Sequence, residues 1–251
     1  MDREAVIKRA IEHGIQRILI PGVDLATSRS AIELAQAYSG LIYAAAGSHP
    51  NETETWDGQS IISLRQLIKA PWVVAVGEIG LDYYRDHVPP SQQVAKLKDQ
   101  LTLASDSNLP VILHNRNSMD DLIPILSEWY NGLLKHPSGL EIHPGILHSF
   151  DGSETEAQKL LEMNFILGIG GPVTFKNAVE KQSLVAKLPL DRLVTETDSP
   201  YLTPHPLRGQ RNEPKNIALI VEKIALLQHQ SLPHVAEQLK NNAAKVFLWG
   251  V

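Results

Sequence analysis

Short apolar runs in this 251-residue sequence are followed at once by histidines and carboxylates. Leu41–Ala46 precedes Gly47-Ser48-His49-Pro50. Trp72–Val76 precedes Gly77-Glu78-Ile79-Gly80-Leu81-Asp82. Val111–Leu113 precedes His114-Asn115-Arg116, and Ile146-Leu147 precedes His148-Ser149-Phe150. Leu193–Thr195 precedes Glu196-Thr197-Asp198-Ser199-Pro200. Glu78, His114, His148 and Asp198 make a ligand set of two imidazoles and two carboxylates, without sulfur. Such a set suits Zn²⁺, Mn²⁺, Fe²⁺ or Mg²⁺ in a hydrolytic site. A metal held there lowers the pKa of water, and a neighbouring carboxylate can take the proton. Taken singly, each residue has an ordinary alternative: a core histidine, a helix cap or a salt-bridge partner. Four together, each directly after a buried run, are hard to explain as solvated surface.

The elements that must position them alternate along the chain. Apolar runs at Arg17–Pro21, Leu41–Ala46, Trp72–Val76, Val111–Leu113, Gly145–Leu147, Phe165–Ile169 and Leu193–Thr195 read as buried parallel strands. Between them lie amphipathic helical stretches such as Ala26–Tyr38, with Ala31, Leu34, Ala35 and Tyr38 on one face. Another is Gln92–Ala104, with Val94, Leu97, Leu101 and Ala104. The tail reads as two helices, the second capped by Ser231. Pro137–Gly139 and Thr203–Pro214 read as loops. This alternation predicts a parallel α/β fold, whose active site lies at the C-terminal strand ends. Spacings of roughly 35 residues from Glu78 to His114 and on to His148 fit one βα unit each. A (β/α)8 TIM barrel over residues 1–251, as one domain, is the expected architecture. Seven strands are legible where a closed barrel needs eight.

Composition removes several classes of function. There is no cysteine, which excludes disulfides, thiolate zinc sites and cysteine nucleophiles and makes a reducing cytoplasm the expected compartment. The formal charge of −5 argues against a broadly basic nucleic-acid coat, although not against a small basic cleft. Hydrophobic residues at 43% and charged residues at 20% fit a folded globular chain. No apolar run reaches about 18 residues, so no membrane span is expected. The charged start Met1-Asp2-Arg3-Glu4 reads as a helix opening rather than a signal peptide.

The ordered motifs closely resemble the TatD family of metal-dependent deoxyribonucleases, which have an amidohydrolase-like TIM barrel. They are Gly47-x-His49-Pro50, Gly77-Glu78-Ile-Gly-Leu-Asp82, His114-x-Arg116, His148-Ser-Phe150, Glu196-Thr-Asp198-Ser-Pro-Tyr201-Leu202 and Arg208-Gly-x-Arg211-Asn212-Glu213-Pro214. The resemblance runs from about Ala5 to the C-terminus. It implies hydrolysis of DNA phosphodiester bonds by metal-activated water, with DNA or another nucleic acid as substrate. It implies up to two divalent ions, Mg, Mn or Zn. Glu78 would bridge them, His114 and His148 would bind the second, and Asp198 would bind the first and accept the proton of the attacking water. His49 would stand near the scissile phosphate, and its alternative is loop packing or helix capping at Pro50. Arg116, Arg211 and Asn212 would contact substrate. The alternatives are a salt bridge from Arg116 to Asp82 or Asp121, and a structural lock of the Arg208–Asn212 loop. Glu196 would orient the site.

One departure stands out. The family opens with a strand ending in His-x-His, which completes the first metal site, and nothing before Ala5 supplies it. His13 sits at a helix end, where the dipole favours an imidazole, and is no substitute. The missing eighth strand and the missing ligand pair are therefore one absence. Strands Arg17–Pro21 and Leu193–Thr195 should flank a gap, and one metal site should be incomplete. Two other readings stay open: a metal-dependent ester or amide hydrolase such as a D-aminoacyl-tRNA deacylase, and a defective barrel that has lost its first-strand ligands.

Overall fold

A curled sheet of seven parallel strands carries the molecule, in the order in which the strands occur along the chain. The computed structural model describes residues 2–52, 56–85 and 87–249. The strands are β1 (Ile18–Pro21), β2 (Ile42–Ala46), β3 (Val73–Asp82), β4 (Val111–Arg116), β5 (Gly145–Leu147), β6 (Ile166–Ile169) and β7 (Leu193–Thr195). The helices are α1 (Arg3–Glu12), α2 (Leu25–Ala37), α3 (Gly58–Leu67), α4 (Pro90–Ser107), α5 (Met119–Lys135), α6 (Glu154–Glu162), α7 (Val179–Lys187), α8 (Ile217–Leu227) and α9 (Leu232–Phe247). Three begin with capping boxes, in which Asp24, Asp57 and Ser153 accept the N3 backbone N–H. Ser231 stands at the start of α9 but makes no side-chain cap there. His13 ends α1, its Nδ1 2.8 Å from the Arg9 carbonyl oxygen.

Among the described residues β1 pairs only with β2 and β7 only with β6, so the expected gap between them is present. Two apolar layers flank the sheet. Outside it, Leu64, Leu97, Leu126, Leu160, Val185 and Ile220 of the helices pack on the strands. On the other face, Ala45, Val74, Ile112, Ile146, Ile166 and Val194 meet Val246 and Phe247 of α9. No described helix is long and apolar enough to cross a membrane.

Two strands outrun their apolar cores. β3 continues through Glu78 to Asp82 and β4 through His114 to Arg116, whereas the sequence places those residues just beyond the strands. The pairing shifts register between Val76 and Ile79 and then resumes, with Gly80 opposite His114 and Asp82 opposite Arg116. Gly80, at φ +147°, lies so close to the His114 backbone that a Cβ would collide with it. Glu78, Asp82, His114 and Arg116 thus lie on strands rather than loops.

Candidate active site

Alternation along β4 puts His114 and Arg116 on one face, and the loops after β2, β5 and β7 bring His49, His148, Glu196 and Asp198 to the same rim. Glu78 is the hub. Its Oε1 is 2.9 Å from His114 Nδ1 and 3.8 Å from His49 Nε2. Ligand atoms of His49, Glu78 and His114 all lie within 4.8 Å of one another. Beside this trio stands a second group. His148 Nε2 is 3.9 Å from Asp198 Oδ1, and the His148 ring is 6.5 Å from that of His114.

Each of these two histidines lies between an inner and an outer carboxylate. His114 has Glu78 on one side and, on the other, Asp82 Oδ2 at 3.4 Å from Nε2. His148 has Asp198 on one side and Glu196 Oε2 at 3.1 Å from Nδ1 on the other. Outer carboxylates of this kind fix the ring orientation of metal-binding histidines. Asp82 is 2% exposed and is itself held, its Oδ1 accepting from the Tyr84 and Arg85 N–H groups. Glu196 accepts a 2.5 Å hydrogen bond from the Ser149 N–H. Its room comes from Gly168, where a Cβ would stand 2.5 Å from Glu196 Oε2.

The electrostatics follow from burial and crowding. Burial opposes ionisation of Glu78, but the His114 hydrogen bond and the nearby imidazoles win and hold its pKa at about 2. Burial would likewise depress His148, yet Glu196, Glu78 and Asp198 push it up to about 10. His49 moves the other way, to about 4, because burial and the His114 charge disfavour its cation. Asp198 is raised by burial, with Glu196 and Glu78 adding to the effect against the attraction of His148. Its backbone is left-handed, at φ +57°, as are those of Asn117 and Ser149 in neighbouring rim loops. Such conformations concentrate at functional sites.

A divalent ion fits these residues. The donors are imidazole nitrogens and carboxylate oxygens, with His114 Nδ1 2.9 Å from Glu78 Oε1 on the inner side of the ring. His49 stands apart in one respect. Its Nδ1 accepts the Asn51 backbone N–H at 3.2 Å, so the neutral ring carries its proton on Nε2. That nitrogen faces Glu78 as a donor, not as a lone pair.

The predicted substrate residues divide. Arg116 forms neither predicted salt bridge: its guanidinium stacks 3.6 Å over the Tyr84 ring, and Asp121 accepts the Tyr83 hydroxyl instead. Arg208 stacks 4.0 Å over Phe175. Arg211 is bound to Asp2 at 2.6 Å and Glu213 at 2.9 Å, in a network that includes Arg9. Asn212 is 2% exposed and donates to the Thr197 and Tyr201 carbonyls while accepting from Glu213 N–H and Asn216. In this structure both brace the loop, and Asn212 holds the turn that carries Asp198. Asp82 is the contributor that sequence reasoning passed over, although it sits inside the Gly77–Asp82 motif.

The sequence profile described as TatD related DNase matches residues 1–248. The chain belongs to this family. It is 40% identical to the uncharacterized metal-dependent hydrolase YabD of Bacillus subtilis, over 98% of this chain and 92% of that one. It is 36% identical to the 3'-5' ssDNA/RNA exonuclease TatD of Erwinia amylovora, over 98% and 93%. The crystal structure of YjjV, a TatD homolog from Escherichia coli, superposes with a TM-score of 0.89 at 32% identity, covering 98% of this chain and 92% of that chain. As a member of the TatD family, the protein is a metal-dependent hydrolase.

Proposed function

We propose that this TatD-family chain is a nuclease that cleaves the phosphodiester bonds of single-stranded DNA or RNA, residues 1–251 acting as one hydrolase unit. The observation that carries the reading is the pair of rim arginines. Arg116 and Arg208 lie against aromatic rings, and among the described residues neither has a carboxylate partner. Arginines free of carboxylate partners suit the backbone phosphates of a nucleic-acid strand. The relatives named as ssDNA/RNA exonucleases support the same substrate class.

Glu78, His114, His148 and Asp198 would hold the metal, which when bound supplies Lewis acidity that eases deprotonation of water and offsets phosphate charge. The remaining chemistry belongs to the chain. Arg116 and Arg208 position the strand through its phosphates. Asp198, whose affinity for a proton is raised by burial, accepts the proton of the attacking water at its carboxylate. His49 Nε2–H serves as a hydrogen-bond donor to the phosphate or the leaving oxygen. Glu196 and Asp82 keep the His148 and His114 rings in orientation.

The test is a substrate panel with Mg²⁺, Mn²⁺ or Zn²⁺: end-labelled single-stranded DNA and RNA, duplex DNA, and a D-aminoacyl ester of tRNA. Single strands should be shortened and the ester left intact. Ester cleavage without nuclease activity would establish the deacylase reading. Inactivity on every substrate, with metal bound, would establish the defective barrel. Metal content after dialysis checks the partial site, since one firmly held ion per chain is expected.

A further inference from the structure

α4 is an outer helix with an unusual inner face. Gln93, Lys96 and Gln100 recur at helical spacing, and each is at most 2% exposed. Long polar side chains lose rotamer freedom and hydration when buried, so each must find strong partners. All three find main-chain groups of the site loops. Gln93 Oε1 accepts the Asp82 N–H at 2.8 Å, and its Nε2 donates to the Asp82 carbonyl at 2.9 Å. Gln100 grips Ser48 in the same two-handed way, at 2.8 and 3.1 Å. Lys96 Nζ donates to the carbonyls of His49 at 2.7 Å and Glu52 at 2.8 Å.

The Lys96 contacts have a particular geometry. His49 and Glu52 are the first and last residues of a turn closed by the Glu52 N–H to the His49 carbonyl, at 3.1 Å. Lys96 staples both ends of that turn. Inside the turn, the Asn51 N–H meets His49 Nδ1, the contact that puts the ring proton on Nε2. Among the described residues no carboxylate is paired with Lys96. The Trp56 ring lies 5.4 Å from its Nζ.

We infer that Lys96, seconded by Gln100, is a positioning residue that fixes the His49 tautomer by holding the 49–52 turn closed. Burial pushes the Lys96 pKa down to about 7, opposed by the Glu52 charge, so an apolar residue of the same length would avoid a desolvation penalty. The retained ammonium delivers two strong, charge-assisted hydrogen bonds to one turn. The catalytic relevance rests on the proposed role of His49. The positioning itself does not.

The deciding experiment is histidine ¹⁵N NMR on the metal-free full chain at about pH 6, where Lys96 is charged and His49 is neutral, with Lys96→Met, Lys96→Arg and Gln100→Glu variants. In the wild type, His49 should show an unprotonated Nδ1 and a protonated Nε2. Lys96→Met should move both shifts towards the tautomer average, and Lys96→Arg should restore them. Gln100→Glu, which loses the donor to the Ser48 carbonyl, should shift them in the same direction and covers the case in which Lys96→Met does not fold. A folded Lys96→Met or Gln100→Glu protein with wild-type His49 shifts overturns the inference, since lost stability alone would lower the melting temperature without changing the tautomer. Turnover separates this inference from the functional one. Lys96→Met should cost about 10–100-fold in kcat, in keeping with a small misplacement of a working group. In a His49→Gln background it should cost nothing further. If His49→Gln itself keeps full turnover, the role of His49 in the reaction fails, and the NMR result still decides the positioning.

Discussion

His148 and His49 are neighbours whose proton affinities are driven apart, and that separation has measurable consequences. The folded pKa of His148, about 10, lies above its ordinary value of 6.5, so its stabilising charge is fully present below pH 6.5 and is lost as pH rises through about 10. His49, at about 4, acts in the opposite sense: its contribution is present above pH 6.5 and is lost as pH falls through about 4. Glu78 adds a further loss as pH falls from 4.5 towards about 2. Thermal melts of the metal-free protein should therefore peak near pH 6.5 and decline on both sides, and His148→Gln should flatten the alkaline limb. With His148 as a ligand, as proposed, metal would compete with its proton, so metal affinity, followed by calorimetry, should rise with pH between 7 and 10. If Asp198 is the base as proposed, Asp198→Asn should lower kcat by about 10²–10⁴-fold with little change in KM. Near-full turnover in that variant would transfer the base role elsewhere, with His49 the next candidate.

The strands and helices were legible to different depths, for physical reasons. A parallel strand covered on both faces must be apolar throughout, so all seven runs announced themselves, and their bounds agree with the structure to within a residue or two except at β3 and β4. Those two extend into polar residues because the sheet there carries the site, and a register shift that no local pattern encodes lets pairing resume after Val76. The buried side of α4 was only half legible. Leu97, Leu101 and Ala104 were readable as its core stripe and are buried, but Gln93, Lys96 and Gln100 look like a solvated face until their main-chain partners are seen. At the site, Glu78, His114, His148 and Asp198 could be picked out because each follows a buried run. The bracing contacts of Asn212 and Arg211 could not be read, because loop closure onto Thr197 and Asp2 is a long-range event. Gly168 tests how β6 shapes the centre. Gly168→Ala would place a Cβ against the Glu196 carboxylate. It should cost about 1–3 kcal/mol in chemical denaturation, as overpacking does. Metal affinity should fall as well, because His148 loses its outer carboxylate.

At the scale of the whole molecule, a net charge of −5 leaves substrate attraction to local groups at the rim. Arg116→Ala and Arg208→Ala should each raise KM and reduce the slope of log KM against log salt by about 0.7, the value for one phosphate contact on a single strand. Arg211→Ala should lower the melting temperature through its lost Asp2 and Glu213 partners and leave that slope alone. The order of the sheet has a further consequence. Because position in the sheet repeats position in the chain, each strand docks beside the one just before it. Assembly can therefore advance in the direction of synthesis, with the newest strand as the growing edge. At ~5–20 residues per second, Asp198 leaves the ribosome roughly 4–17 s after His114. Throughout that interval the nascent chain carries Glu78 and His114 on adjacent strands without Asp198, the acid proposed to share their metal. Any ion captured early would be held by a partial ligand set and readily released, and firm retention would have to await the last strand.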